Sequence, residues 1–486
     1  MTEGTSSYRS ILKATSLFGG VQVFNIIIAI IKSKFVAVLI GPTGMGIYGL
    51  LTSTTQIISN FTNFGLQTSA VRSVSKSFEM NDSRHISLTI CVLKRLVWLT
   101  GALGLIITLL LSPVLSFVCF KNHEYSLSFA CLSITLLISQ LSIGQNVILQ
   151  GTRKWKLLAK SNLFGSFFGL LFSLPLYYFF RLDGIVPAVI LASFFTLIFS
   201  WIYSKNIPYA KIQLRVKDIF TNGKEMLLLG LALSSSGIIT LIGSYITRIF
   251  IARLGSIADV GLYTAGFAII NTYVGMVLTA MSTDYFPRLA GISSDNTQCK
   301  LLINKQSQII LLLITPLLIA FFIFSDFALT LLYSEKFLPV SGMVKWAAFG
   351  MFFRAISWCL SFLFPAKGKS KIFFVNELIC NIYYLSFSLI GYYYKGLNGL
   401  GYAFAATYII YTIQCFFVSK NKYEFNYINK FIKQAIIQFI FLALCFSLCF
   451  LDSKYKYLQI FCEIIILISS SIYSLLKLKY LVASKK

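Results

Sequence analysis

Apolar residues run through this chain in long blocks, separated only by short polar breaks. A helix needs about 20 mostly apolar residues to cross a bilayer, and the blocks predict fourteen such helices. They cover 10–40, 46–71, 93–120, 126–150, 161–180, 185–204 and 226–254, then 261–286, 307–333, 341–365, 372–394, 400–419, 431–451 and 458–476. An even number puts both termini on one side. No break has room for a sizeable soluble domain, so the expected fold class is all-α, a polytopic membrane protein.

Composition agrees. The 486 residues are 57% hydrophobic and only 12% charged, with mean hydropathy +0.78, whereas soluble domains are about 25% charged. The net charge of +26 invites a nucleic-acid reading, but its distribution is a topology signal. Short cytoplasmic loops carry excess Lys and Arg, and most of the 42 basic residues fall on the side that holds the termini. Clusters there are Arg153, Lys154, Lys156 and Lys160, then Lys205, Lys211, Arg215 and Lys217, then Lys367, Lys369 and Lys371. Both termini are therefore expected in the cytoplasm, with the clusters against lipid headgroups.

Chemistry beyond transport is hard to find. The ten cysteines form no CxxC pair and lie almost entirely within apolar runs, where a free thiol packs as a small hydrophobe. His85 and His123 stand alone in separate loops, and there is no GxxxxGK[ST] loop for a nucleotide. No metal or other cofactor is expected. The first apolar run is too long for a signal-peptide core and lacks a small-residue cleavage site, so it reads as the first membrane helix.

The chain also repeats itself. Residues 32–48, KSKFVAVLIGPTGMGIY, are echoed by 248–263, RIFIARLGSIADVGLY, with Lys34 falling on Arg248 and Gly41 on Gly255 after a one-residue slip. At one constant offset Lys154 and Lys156 correspond to Lys369 and Lys371, Tyr177 and Tyr178 to Tyr392 and Tyr393, and LDGI at 182–185 to LNGL at 397–400. Six helices per copy make the repeats parallel. The expected organisation is an N-terminal six-helix lobe at 1–205, a cytoplasmic inter-lobe loop at 206–225, a C-terminal six-helix lobe at 226–420 and two additional helices in 421–486. Repeats of this kind place a site near the midplane with alternating access around it, which predicts a transporter.

Five cations fall within the predicted helices: Lys32, Lys34, Arg248, Lys345 and Arg354. In lipid they would cost roughly 12 to 17 kcal/mol together, so they should face protein or a wet cavity. Lys32 and Lys34 are about 200° apart on a helix, and correspondence with Arg248 favours Lys34 as the inward one. Lys345 reads as a snorkelling or structural cation. Acidic partners are few: Asp284, Asp326, Glu377 and Glu463, of which Glu377 lies well inside a helix and is expected to ion-pair or carry a coupling proton. Gln22, Asn25, Gln56, Asn60 and Asn63 either line a cavity or hydrogen-bond between helices. An interior richer in cations than anions expects an anionic ligand that belongs in a membrane. A diphosphate on a lipid tail satisfies both demands.

At Lys32, Lys34, LIGPTGMGIYGL (39–50) and FTNFGLQTSAVR (61–72) the chain resembles the Wzx-type O-antigen and polysaccharide flippases of the MOP exporter superfamily, which also holds the MATE drug exporters and the lipid II flippases. The resemblance implies a V-shaped, two-lobed bundle that carries undecaprenyl-diphosphate-linked oligosaccharide from the inner to the outer leaflet of a bacterial plasma membrane, alongside a polysaccharide polymerase and other assembly proteins. In the related lipid II flippases, arginines on the first, second and eighth helices line a cationic central cavity. Here Lys34 takes the first-helix place, Arg72 ends the second, and Arg248 on the seventh stands in for the eighth, with Lys32 and Arg354 as further cavity cations. Glu377 and Asp284 are the residues for coupling or an ion pair. Two rivals remain. A membrane polymerase or ligase should carry a large outer loop, but the outer breaks are only a few residues long. A MATE-like antiporter for organic cations should have an acidic cavity, and these residues are basic.

Overall fold

Gly41 and Pro42 divide the first helix. The computed structural model describes residues 3–80, 82–210, 212, 215–451 and 456–483. In it α1 (Glu3–Thr62) is a pair of helices joined at Gly41, which has φ 65°. Pro42 has no N–H and starts the second leg, where none is needed. The outer break expected at 41–45 is thus a single residue. A break at Asn63 to Gly65 follows, and then α2 (Leu66–Glu79), a short helix that buries Leu66, Ser69, Ala70, Val74 and Ser77 on one face. The second predicted helix, 46–71, is therefore two elements, and Arg72 lies on the separate α2.

The remaining elements are α3 (Ser83–Phe120), α4 (Ser126–Gly151), α5 (Trp155–Phe180), α6 (Ile185–Ser204), α7 (Val216–Leu254), α8 (Ile257–Ala268), a π-helical turn (Ile269–Val274), α9 (Gly275–Gly291), α10 (Asn296–Leu332), a 3-10 turn (Glu335–Val340), α11 (Ser341–Ser361), α12 (Leu363–Ala366), α13 (Ser370–Tyr423), α14 (Asn429–Leu448) and α15 (Lys456–Ala483). Among the described residues there is no strand. Among the described residues, twelve stretches are long and apolar enough to cross a membrane. Two of them hold a break, at Gly41 and at Gly396, and counting their legs separately gives the fourteen crossings expected. Large apolar side chains such as Leu110, Leu127 and Phe179 point outward, the reverse of a soluble surface and suited to lipid. This is a multi-pass membrane protein.

Several helices start earlier than the apolar blocks do. Asp82 caps α3, its carboxylate accepting from the N–H groups of Arg84 and His85, and Asp295 caps α10 in the same way through Thr297 and Gln298. Each cap satisfies backbone donors that the first turn leaves open, so the helix begins in polar sequence that hydropathy does not mark. Likewise α7 begins at Val216, inside the expected inter-lobe loop.

The repeat is written into the backbone. Arg153 and Gly368 both have positive φ, 58° and 69°, and Arg181 and Gly396 do too, 49° and 55°. Both pairs keep the offset found in the sequence. After the first pair, Lys154 N donates to Leu149 O at 2.9 Å and Lys369 N to Phe364 O at 3.0 Å, the same turn made twice. After the second pair, a Cβ at Gly184 would come within 2.2 Å of Leu176 O, and one at Gly399 within 1.8 Å of Gly391 O. Only glycine lets the two helices pass at that distance.

The chain divides into two compact units, Met1–Val260 and Gly261–Lys486. In the first, Leu66, Val74, Leu93, Val97, Ile148 and Met226 form a core that gathers α2, α3, α4 and α7. Helix α7, which the repeat assigns to the second lobe, thus packs with the first unit. Arg253 at its end donates to the carbonyls of Phe117 and Val118, while Lys121 donates to Arg253 O at 2.8 Å. The second unit is built around α11, with α10 against it. The two additional helices join this unit: Gln434 of α14 donates to Gln308 O at 2.8 Å, and Gln438 donates to Ser474 of α15 at 2.9 Å.

Candidate functional site

In the first unit, α1, α4, α5 and α6 line a half-open cavity of about 440 Å³. Spacings of three and four residues bring Ser139, Ser142 and Asn146 to one face of α4, and Ser193 and Thr196 do the same on α6. Lys32 is the cation among the lining residues. Its Nζ is 3.2 Å from Tyr48 Oη and 5.2 Å from the centre of that ring. Lys32 is half-buried and in no ion pair among the described residues.

The cavity offers both kinds of hydrogen-bonding group. Ser193 Oγ donates to Val189 O at 3.0 Å, Thr196 Oγ1 to Ala192 O at 2.9 Å and Ser142 Oγ to Thr196 O at 3.4 Å. Their protons are committed to backbone, which leaves oxygen lone pairs for a ligand. Ser161 donates to Asn146 Oδ1 at 3.2 Å, so the Asn146 amide hydrogens remain as donors beside Lys32. Acceptors, donors and one positive charge together suit a polyhydroxylated molecule with an anionic group.

The other expected cations are placed as follows. Lys34 is half-buried on the same leg of α1 as Lys32. Arg248 is half-buried on α7, its Nη1 2.5 Å from Ser244 Oγ. Arg72 is exposed on α2. Asn63 accepts from Gln140 at 2.9 Å, and Gln140 also donates to Thr100 at 3.0 Å, so that amide ties helices together. Asn60 bonds back to Gln56 O on its own helix. The side chains of Gln22 and Asn25 lie outside the described residues.

In the second unit, Arg354 on α11 donates to Asn271 Oδ1 at 2.7 Å. Its guanidinium carbon is 5.2 Å from the centre of the Tyr408 ring and 6.0 Å from that of Phe404. Asn271 stands in the π-helical turn, where one extra residue per turn swings a side chain out of the usual register. Nearby on α13, Glu377 accepts from the Tyr411 hydroxyl, and Asn376 donates to Tyr411 and to Cys415, each at 3.3 Å. The Glu377 carboxylate is held by this phenol and forms no ion pair among the described residues. Lys345 does pair, with Asp326 at 3.6 Å. Asp284 is exposed and paired with Arg288 at 2.9 Å, a surface contact worth about 0–1 kcal/mol. Glu463 is buried and accepts from Gln459 at 2.9 Å.

With this arrangement in hand, comparison with known proteins is informative. The sequence profile of a family described as polysaccharide biosynthesis protein matches residues 35–342, more than half of the chain. A comparison with curated proteins gives no match. Among solved structures, the chain is similar to a lipid II flippase MurJ in an inward closed conformation, with TM-score 0.72, 14% identity and coverage of 95% of this chain and 98% of that one. It is also similar to an inward-facing multidrug resistance MATE family transporter of the MOP superfamily, with TM-score 0.68, 16% identity and coverage of 83% and 94%. A third is a MOP superfamily transporter from Pyrococcus furiosus, with TM-score 0.54, 15% identity and coverage of 85% and 96%. At these identities the likeness is one of fold. The chain belongs to the polysaccharide biosynthesis protein family and has the fold of the MOP superfamily of flippases and exporters.

Proposed function

We propose that the protein flips undecaprenyl-diphosphate-linked oligosaccharide, the repeat unit of an O-antigen or other surface polysaccharide, from the inner to the outer leaflet of the bacterial plasma membrane by alternating access. The observation that carries this reading is Lys32 in its hydroxyl-lined cavity, with its ammonium against a phenol instead of a carboxylate. A cation placed among hydroxyl groups inside membrane helices suits phosphate and sugar together. The family described as polysaccharide biosynthesis protein supplies the substrate class, and a lipid II flippase of the same fold handles a lipid-linked cargo.

Lys32 receives the diphosphate as a point charge, with Lys34, Arg248, Arg354 and Arg72 as further cations that draw the anion in. The protein does no covalent chemistry and acts as a transporter. With both termini in a negative cytoplasm, outward passage of each net negative charge gains about 2.3 kcal/mol per 100 mV, so the membrane potential favours export. Glu377, held by Tyr411, is the group for a coupling proton. The exported repeat unit then passes to a polysaccharide polymerase and other assembly proteins.

The test is accumulation of lipid-linked glycan in cells carrying Lys32→Ala, Lys34→Ala or Arg248→Ala. Variants that insert normally should accumulate it on the cytoplasmic side. Normal export by all three would overturn the reading.

A further inference from the structure

A second crevice of the first unit has no part in the path described above. It lies between α3, α4 and α6 and holds about 410 Å³. Its walls include Val97, Leu141 and Ile198, and Trp98 and Trp201 line it while 55% and 56% exposed. Lys94 lines it too: its Nζ donates to Tyr209 Oη at 2.6 Å and is 4.4 Å from the centre of that ring. Lys205 sits 5.5 Å from the Trp201 ring. Among the described residues no carboxylate lines the crevice.

Two different environments thus meet in one slot. Valine, leucine and isoleucine beside two indoles suit an acyl chain near the membrane surface, where tryptophan is enriched. Next to them, Lys94 and Lys205 provide positive charge, and Gln145 adds amide hydrogens because its carbonyl oxygen already accepts from Ser204. Phosphate is what such donors recognise, and basic pockets between membrane helices bind anionic headgroups. A choline headgroup would bring a like charge against the lysines.

We propose that this crevice binds one anionic phospholipid of the phosphatidylglycerol type, its phosphate at Lys94 and Gln145 and an acyl chain between Trp98 and Trp201. The charge on the walls selects it over zwitterionic lipid. The site is separate from the Lys32 cavity, and its test does not read transport.

The test uses the full chain reconstituted into vesicles that contain brominated phosphatidylglycerol or, at the same mole fraction, brominated phosphatidylcholine. Bromine quenches tryptophan on contact, and two of the five tryptophans line the crevice. The anionic lipid should quench more strongly, and unlabelled phosphatidylglycerol should reverse that excess. The excess should disappear in Lys94→Gln/Lys205→Gln and, as a control that leaves the lysines intact, in Trp98→Phe/Trp201→Phe. Equal quenching by the two lipids would overturn the proposal, and so would an excess that survives the tryptophan substitutions. Reversal by undecaprenyl phosphate but not by phosphatidylglycerol would assign the crevice to the carrier lipid and overturn it as well.

Discussion

Arg354 and Asn271 are joined by a 2.7 Å hydrogen bond that links α11 to the π-helical turn. A hydrogen bond to a charged group is worth about 1.5–3 kcal/mol, so Arg354→Ala should lower the stability of the second unit by roughly that much. Asn271→Ala should cost a similar amount, and the double variant less than the sum, since both remove one contact. Thermal unfolding of the purified variants measures all three. Additive losses would show that the bond is not what either residue contributes.

Arg253 caps α3. Its guanidinium takes two carbonyl oxygens of the last turn, that of Phe117, which also accepts from the Lys121 N–H, and that of Val118. Arg253→Ala should therefore destabilise the first unit by about 1–3 kcal/mol. Arg253→Lys should recover only part of this, because an ammonium lacks the planar fork. Full recovery by lysine, read as the melting temperature in detergent, would mean that charge alone matters.

Tyr411 holds the Glu377 carboxylate among Asn376, Cys415 and Gln414. Removing its hydroxyl leaves the half-buried carboxylate short of a donor, at a cost of about 1–3 kcal/mol. Tyr411→Phe should thus be clearly destabilising in unfolding experiments, whereas Glu377→Gln keeps an acceptor for the hydroxyl and should be milder. The opposite order would place the pair's contribution elsewhere.

Gly184 and Gly399 occupy matching places in the two repeats and allow the same close passage. Gly184→Val and Gly399→Val should both prevent normal folding, seen as loss of the monodisperse peak on size exclusion. A well-folded Gly399→Val protein would contradict the 1.8 Å approach.

Those glycines also show how far the sequence could be read. Hydropathy found the crossings and the repeat, because lipid exposure demands apolar runs and each copy must make the same turns. It missed the starts of α3, α7 and α10, since a helix stays a helix where it leaves lipid, held by caps such as Asp82 and Asp295. It read 46–71 as one helix because the break at Asn63 to Gly65 is only three residues long. At the site, charge singles out Lys32, Lys34, Arg248 and Arg354, which are costly in lipid, but the repeat favours Lys34 as the inward cation whereas Lys32 lines the cavity. Ser139, Ser193 and Thr196 went unnoticed because serine and threonine are ordinary in membrane helices, and only packing shows that their faces converge. Tyr411 was hidden for the same reason, being one tyrosine among 26.

The central claim is that Lys32 and its hydroxyl-lined cavity serve an anionic, lipid-linked sugar. It is tested most directly by the rate at which purified protein in liposomes moves fluorescent undecaprenyl-diphosphate-linked glycan between leaflets. Lys32→Ala should slow that rate about tenfold or more, a loss of at least about 1.4 kcal/mol, and Lys32→Arg should keep most of it. An unchanged rate in Lys32→Ala, or no movement of the glycan by the unaltered protein, would contradict the account.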